Sequence, residues 1–242
     1  MAAGKGTRMK NPEKAKVMYE IENKPMVEYV VDLAKKLNAL RTLLIVGWQK
    51  QLVIEYFTKA NINVEFVEQN EQRGTGHAVL QVMEPLKDFA GNVLVLSGDV
   101  PLLTEKTAKA LIGYHQASDA AATILTAELE DPTGYGRIIR NDDGSVKKIV
   151  EQKDASKKEL SIKEINSGIY VFNKEYLFQC LPQLTPNNAQ GEYYLTDVFE
   201  LFWKNNWRVS AVKAIDAIEI MGINDLHQLE AARVIMASRG IS

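Results

Sequence analysis

Three short runs early in the chain have the residue pattern of β-strands: Thr42–Gly47 (TLLIVG), Asn63–Val67 (NVEFV) and Val93–Ser97 (VLVLS). The first and third are almost wholly apolar, as in a strand covered on both faces. Around them the apolar spacing becomes helical. Lys24–Asn38 carries Pro25 near its start and Val27, Val30, Val31, Ala34 and Leu37 on one face. Gln49–Ala60, Thr75–Leu86 and Thr104–Ala117 are predicted as further helices, the last with Thr104 as its N-cap. Strand–helix alternation of this kind predicts a parallel, helix-covered sheet.

The texture changes after about Ala120. Ala121–Ala127, Gly136–Arg140, Val146–Glu151 and Gly168–Phe172 are predicted as strands of more antiparallel character. Asn141–Gly144 (NDDG) is a strong hairpin turn between the second and third. Leu195–Asn205 is predicted helical, Arg208–Ala214 a strand, and Asn224–Ser238 a final amphipathic helix. The expectation is one α/β domain with a mixed sheet, whose second half supplies a lid or lobe. A Gly-rich turn opening such a domain normally follows a strand, yet here the turn begins at Met1.

Composition narrows the function classes. The chain has 242 residues, 46% of them hydrophobic, with 29 Lys+Arg against 31 Asp+Glu and a net charge of -2. That balance removes any strong case for nucleic acid or an anionic membrane as a bulk partner. A single Cys excludes an internal disulfide framework and a CxxC metal site. No apolar run approaches the roughly 18–20 residues of a membrane span. The opening MAAGKGTRMK has no signal-peptide pattern, so a soluble cytoplasmic protein is expected.

The opening is the first chemical signal. Ala2-Ala3-Gly4-Lys5-Gly6-Thr7-Arg8-Met9 places small residues where backbone N–H groups can approach a phosphate, with Lys5, Arg8, Lys14 and Lys16 nearby. It is not a Walker A loop, because the spacing fails, and Met9 breaks the dinucleotide fingerprint GxGxxG. Alone, it is a moderate signal, with a flexible basic terminus as the alternative.

Later segments are more specific: RGTGHA at 73–78, GDVPL at 98–102, DPTGYGRI at 131–138, VEQKDA at 150–155, INSGIY at 165–170 and NNAQGEYYLTD at 187–197. With AAGKGTRM at 2–9, these resemble, in order, the uridylyltransferase (pyrophosphorylase) domain of the bacterial bifunctional enzymes that make UDP-N-acetylglucosamine. The resemblance runs from Ala2 to about Asn224. It implies a Rossmann-like nucleotide-diphospho-sugar transferase fold, with a mixed, mostly parallel central sheet and a small antiparallel sugar-binding lobe. It implies transfer of uridylyl from UTP to N-acetylglucosamine-1-phosphate, with Mg²⁺, for cell-wall and lipopolysaccharide precursors. The alternatives are a uridylyltransferase for another sugar-1-phosphate and an inactive nucleotide-sugar-binding fragment.

The resemblance also implies roles. Arg8 stabilises the triphosphate and departing pyrophosphate, and Lys16 neutralises charge at the attacked phosphate. Met1, Ala2, Ala3 and Gly4 contact the nucleotide through their backbones, and Ser97 and Gly98 border it. Gln69 reads the uracil edge, beside Gly74 and Thr75; by itself, Gln69 reads as a surface residue in a polar loop. Asp99 and Asn224 hold Mg²⁺; by themselves, they read as a turn-forming Asp and a helix N-cap. Gly136, Glu151, Asn166 and Thr196 bind the sugar. Tyr135, Tyr193 and Tyr194 are candidates for the pocket wall or the core. His77 is expected to pack behind the uracil pocket, and His115, His227 and Cys180 carry no functional argument.

Departures from the pattern are Ala15 before Lys16, which leaves Lys14 as a possible substitute, Ser97 in place of an aromatic residue, and Arg73 in place of Leu. The expected organisation is a nucleotidyltransferase domain over 1–223, its first strand apparently missing, and the start of a connecting helix over 224–242. The family's β-helix acetyltransferase domain is not in the sequence, so the expected state is a monomer. Leu226, Leu229, Ile235 and Met236 are expected to leave an apolar stripe if that helix is unpacked.

Overall fold

The computed structural model describes residues 1–9, 11 and 13–240. They form two compact units, one of residues 1–72, 97–105 and 218 onward, the other of residues 73–96 and 106–217. In chain order the first unit supplies β1 (Glu20–Ile21), β2 (Lys24–Pro25), α1 (Met26–Lys36), β3 (Leu43–Val46), α2 (Lys50–Lys59) and β4 (Glu65–Glu68). The second contributes α3 (Thr75–Leu80), β5 (Asn92–Val95), α4 (Glu105–Ser118), β6 (Ala122–Glu128), β7 (Gly136–Arg140) and β8 (Val146–Val150). It continues with α5 (Lys157–Leu160), β9 (Glu164–Asn173), α6 (Lys174–Cys180), α7 (Asp197–Lys204) and β10 (Val209–Lys213), and the first unit closes with α8 (Leu226–Ser238).

In the first unit β3 and β4 pair in parallel, Leu43 opposite Glu65 through Val46 opposite Glu68. Leu44 and Val46 share a core with Val27 and Val31 of α1 and Val53 and Phe57 of α2. The amphipathic spacing of α1 and the apolar run of β3 thus bury each other. The Ala2 N–H donates to the Ile45 carbonyl (2.8 Å), and Ala2 bridges Val46 in parallel. Residues 2 and 3 are therefore tied to β3 and buried.

A second core joins Met9, Ile21, Met26, Leu102 and Ile223 to Leu229, Ala232 and Met236 of α8. The final helix packs within the first unit. Its expected apolar stripe is covered at Leu229 and Met236, while Leu226 stays exposed. Positions 241 and 242 of the predicted segment lie outside the described residues. The N-cap is Asp225, whose carboxylate accepts from the Gln228 N–H (2.8 Å), and not Asn224. Asp225→Ala is expected to cost about 1 kcal/mol. At this chain length that lowers the thermal midpoint by about 2–4 °C, measurable by circular dichroism.

The second unit holds one six-stranded sheet, ordered β10-β6-β9-β7-β8, with β5 also paired to β9. The sheet is mixed, as expected: β5, β6, β7 and β10 run in one direction and β8 and β9 in the other, since β6 and β10 pair in parallel while β9 is antiparallel to β5, β6 and β7 and β8 to β7. The mixing centres on β9, which is ten residues long where a five-residue strand was predicted. It pairs with β5 and so places a later, oppositely directed strand beside it. Alternation of strands and helices describes the order of elements along the chain, whereas pairing depends on distant segments. The Asn141–Gly144 turn forms as predicted, with the Gly144 N–H bonded to the Asn141 carbonyl (2.9 Å). The core of this unit is aromatic: Tyr170, Phe172, Phe199 and Phe202 pack with ring centroids 5.4–6.2 Å apart.

Candidate active site

In the first unit the structure brings together Lys16, Asp99 and Asn224, three residues distant in sequence. The Lys16 ammonium donates to Asp99 Oδ2 and to Asn224 Oδ1 (3.0 Å). Asp99 sits in the turn after β5, and its carbonyl accepts from the Ile223 N–H (2.8 Å), which draws the 222–224 segment alongside it. The Asn224 amide nitrogen donates to the Gly222 carbonyl (3.0 Å), so its oxygen is left facing Lys16. With Asp225 capping α8, the Asn224 side chain is available for this role. Lys14 lies elsewhere, 3.8 Å from Glu20 and over the Tyr19 ring, so Lys16 is the lysine of the cluster.

The glycine-rich opening lies against this cluster. A Cβ on Gly6 would collide with the Lys16 side chain, which explains the small residue at that position. The Gly98 N–H donates to the Met1 carbonyl (2.8 Å), and the Trp48 N–H to that of Ala3 (3.1 Å). Arg8 is exposed and makes no hydrogen bond or ion pair with the described residues, and Gly4 is exposed too. Ser97 is half-buried, and its carbonyl accepts from the Val100 N–H (3.1 Å). Gln69 is 3% exposed, not a surface residue, and its N–H pairs with the Val46 carbonyl (2.8 Å).

The second unit gathers the residues expected at the sugar. Thr196 donates its hydroxyl to Glu151 Oε1 (3.1 Å). Glu151 Oε2 faces Gly136, 3.3 Å from where a Cβ there would lie. Asn166 lies opposite Gly136 in the β7–β9 register. Burial raises the Glu151 carboxyl above the usual carboxylate range, the Thr196 bond opposes this, and Asp154 adds to it. Asp197, which the sequence reading passed over, is pushed up to about 6 by burial and by Glu200, Glu151 and Asp154. Its only signal in the sequence was its place in the LTD triplet.

Gly74 and Thr75 open α3 in the same unit. The Tyr193 N–H donates to the Arg73 carbonyl (2.8 Å), the Gly76 N–H to that of Tyr193 (2.8 Å), and the Leu195 N–H to Thr75 Oγ1 (3.0 Å). The Arg73 guanidinium lies over the Tyr193 ring (4.9 Å) and donates to its hydroxyl (3.0 Å). The arginine that departs from the family pattern therefore clasps the segment leading to Thr196. The His77 ring lies beside this clasp, its centroid 6.2 Å from that of Tyr193. Tyr194 is buried and accepts from Gln190 (2.8 Å). His115 is buried against Thr123 (2.9 Å), and burial lowers its pKa. Cys180 is buried, its thiol pushed up to about 11. Neither has a chemical role in this arrangement. A second residue missed in the sequence is Arg137, 2% exposed, which donates to the Tyr135 carbonyl beside Gly136.

Among the described residues no three His, Cys, Asp or Glu side chains cluster to hold a metal ion. Asp99 and Asn224 nonetheless fit a hard cation. Both present oxygen, and both already face the cationic Lys16.

The fold is the α/β nucleotide-diphospho-sugar transferase fold. A UDP-glucose pyrophosphorylase complexed with UDP-glucose superposes with a TM-score of 0.77 at 19% identity, covering 98% of this chain and 97% of that one. A putative glucose-1-phosphate thymidylyltransferase from Bacillus anthracis gives 0.74 at 18% identity, covering 97% and 92%. The chain belongs to the nucleotidyl transferase family, whose sequence model matches residues 1–218. Among its relatives are proteins named bifunctional protein GlmU. That of Acetivibrio thermocellus is 49% identical over 239 residues, 99% of this chain and 51% of that protein. That of Enterococcus faecalis is 46% identical over the same shares. The chain thus spans about half the length of the curated relatives it matches. No helix among the described residues is long and apolar enough to cross a membrane.

Proposed function

We propose that this chain transfers the uridylyl group of UTP to N-acetylglucosamine-1-phosphate, forming UDP-N-acetylglucosamine and pyrophosphate. The observation that carries the reading is the Lys16 ammonium held between Asp99 and Asn224, a cation-holding oxygen pair beside a glycine-rich turn. The relatives named GlmU support the choice of substrates.

In this reaction a phosphate oxygen of the sugar phosphate attacks the α-phosphorus of UTP. The bond from that phosphorus to the bridging oxygen of the β-phosphate breaks, and pyrophosphate leaves. The nucleophile is already anionic at neutral pH, so no general base is needed. Catalysis then rests on alignment and on charge at the α-phosphate. Lys16 neutralises charge at the attacked phosphate, and the exposed Arg8 binds the triphosphate and the departing pyrophosphate. Mg²⁺, when held by Asp99 and Asn224, supplies further neutralisation of the phosphate oxygens. Gln69 takes the uracil edge through its carboxamide, and backbone N–H groups of the opening take phosphate oxygens. Glu151 Oε2 accepts from a sugar hydroxyl, with Gly136, Asn166 and Thr196 completing the wall.

The test is pyrophosphate release from UTP and Mg²⁺ with N-acetylglucosamine-1-phosphate, with glucose-1-phosphate, and with no sugar phosphate. The expected result is fast release with the first alone. Faster release with glucose-1-phosphate transfers the assignment to another sugar. No release from folded protein overturns it.

A further inference from the structure

We infer that Tyr170 is a positioning residue for the sugar phosphate, holding the Asn166 carboxamide in a single orientation toward the ligand. The inference rests on the reading that Asn166 contacts the sugar.

Asn166 and Tyr170 are four residues apart on β9. In a regular strand their Cα atoms stand about 13 Å apart, yet Asn166 Nδ2 donates to the Tyr170 hydroxyl at 2.7 Å. A bulge aids this approach. Opposite the β6 segment from Ile124 to Thr126, which has one residue between its ends, β9 has three, Ser167, Gly168 and Ile169. Gly168 takes a φ of 76°, favourable to glycine, and the Ser167 hydroxyl secures the bulge by donating to the Leu125 carbonyl (2.6 Å). Asn-Ser-Gly is thus a local code for a bulge, a device that re-aims a neighbouring side chain.

The orientation of the amide is fixed at both ends. The Gly168 backbone N–H, which can only donate, meets Asn166 Oδ1 at 3.3 Å. Nδ2 must then face Tyr170, whose hydroxyl accepts. The ring is 3% exposed and packed against Phe172 (5.4 Å) and Phe199 (5.5 Å), so the hydroxyl cannot follow the amide if it turns. Burial, with Glu151 adding to it, keeps the phenol protonated. With one N–H given to Tyr170 and one lone pair taken by Gly168, Asn166 keeps one N–H and one oxygen lone pair in a fixed orientation. Glu151 Oε2 is a further acceptor, since Oε1 holds Thr196. The wall therefore suits a ligand that both donates and accepts, as sugar hydroxyls and an amide do.

The experiment is a double-mutant cycle on initial rates, with Tyr170→Phe, Asn166→Ala and both together. Tyr170→Phe keeps the packed ring and removes only the hydroxyl. It is expected to raise KM for the sugar phosphate about 3–10-fold, the worth of one hydrogen bond, with kcat and KM for UTP within twofold. Asn166→Ala is expected to raise the same KM at least as much, and the double variant to match Asn166→Ala, because Tyr170 acts through Asn166. A readout free of activity is the side-chain amide resonance of Asn166, slow to exchange in the wild type and fast in Tyr170→Phe. If Asn166→Ala alone raises KM, the Tyr170 inference is overturned and the sugar reading stands. If neither variant changes KM, the reading of Asn166 falls and takes the inference with it. A full Tyr170→Phe effect on top of Asn166→Ala also overturns the inference.

Discussion

Replacing Lys16 with methionine is expected to lower kcat for pyrophosphate release by about 10²–10³-fold, the loss that follows removal of one pre-positioned donor at a developing charge. Methionine keeps nearly the length of the stem and deletes the charge, so the glycine-rich turn packed over that stem at Gly6 keeps its support. The Asp99 carboxylate and the Asn224 oxygen then lose their cation. The stability cost stays below the about 3–5 kcal/mol of a fully buried pair broken on one side, because both side chains keep some water contact, 14% for Lys16 and 21% for Asp99. Two measurements separate the effects: turnover at saturating substrates, and the thermal midpoint. A variant that melts within a few degrees of the wild type yet retains more than a tenth of its kcat would remove Lys16 from the mechanism. Lys14→Met is the control. Its ammonium sits near Glu20 and Tyr19, away from the cluster, and its loss is expected to leave kcat within twofold.

This contrast between two nearby lysines shows what the sequence conveyed and what it withheld. Both were compatible with the motif, since a loop of uncertain length does not say which side chain turns inward. The structure decides through contacts made at a distance of 83 and 208 residues along the chain. Elements with a strong local period were legible: the apolar side of α1, the apolar run of β3 and the NDDG hairpin formed close to where the pattern placed them. The pairing of β9 was not, because a run of buried residues specifies a covered strand but not its neighbours. The cap of α8 was displaced by one residue for a related reason. Asn224 and Asp225 are both good caps, and the choice follows from Lys16 drawing the Asn224 oxygen away. The motifs singled out Gly136, Glu151, Asn166 and Thr196 as candidates, but Tyr170 needed the bulge to come within reach of Asn166.

Gly74→Ala is expected to be the most damaging small substitution in the second unit. Gly74 has a φ of +111°, outside the range that side-chain-bearing residues adopt readily, and a Cβ there would lie 2.5 Å from the Tyr193 carbonyl oxygen and 2.9 Å from its backbone nitrogen. Neither obstacle is a flexible side-chain tip. Both atoms are engaged, the nitrogen with the Arg73 carbonyl and the oxygen with the Gly76 N–H. Relief of the clash must therefore break backbone hydrogen bonds or strain the turn, at about 2–5 kcal/mol in all. At this chain length that corresponds to a fall of about 5–15 °C in the thermal midpoint. The damage should also spread in a defined direction. Displacing Tyr193 loosens the bond from the Leu195 N–H to Thr75, and Thr196, the next residue, holds Glu151. KM is then expected to rise for UTP, through the Gly74–Thr75 turn, and for the sugar phosphate, through Thr196. Gly113→Ala is the internal control, since that glycine lies within α4 with no atom near its would-be Cβ, so alanine there should leave the midpoint equal or slightly raised. A Gly74→Ala protein that melts within 2 °C of the wild type, or that raises KM for neither substrate, would show that the 193–196 segment yields without consequence to the turn.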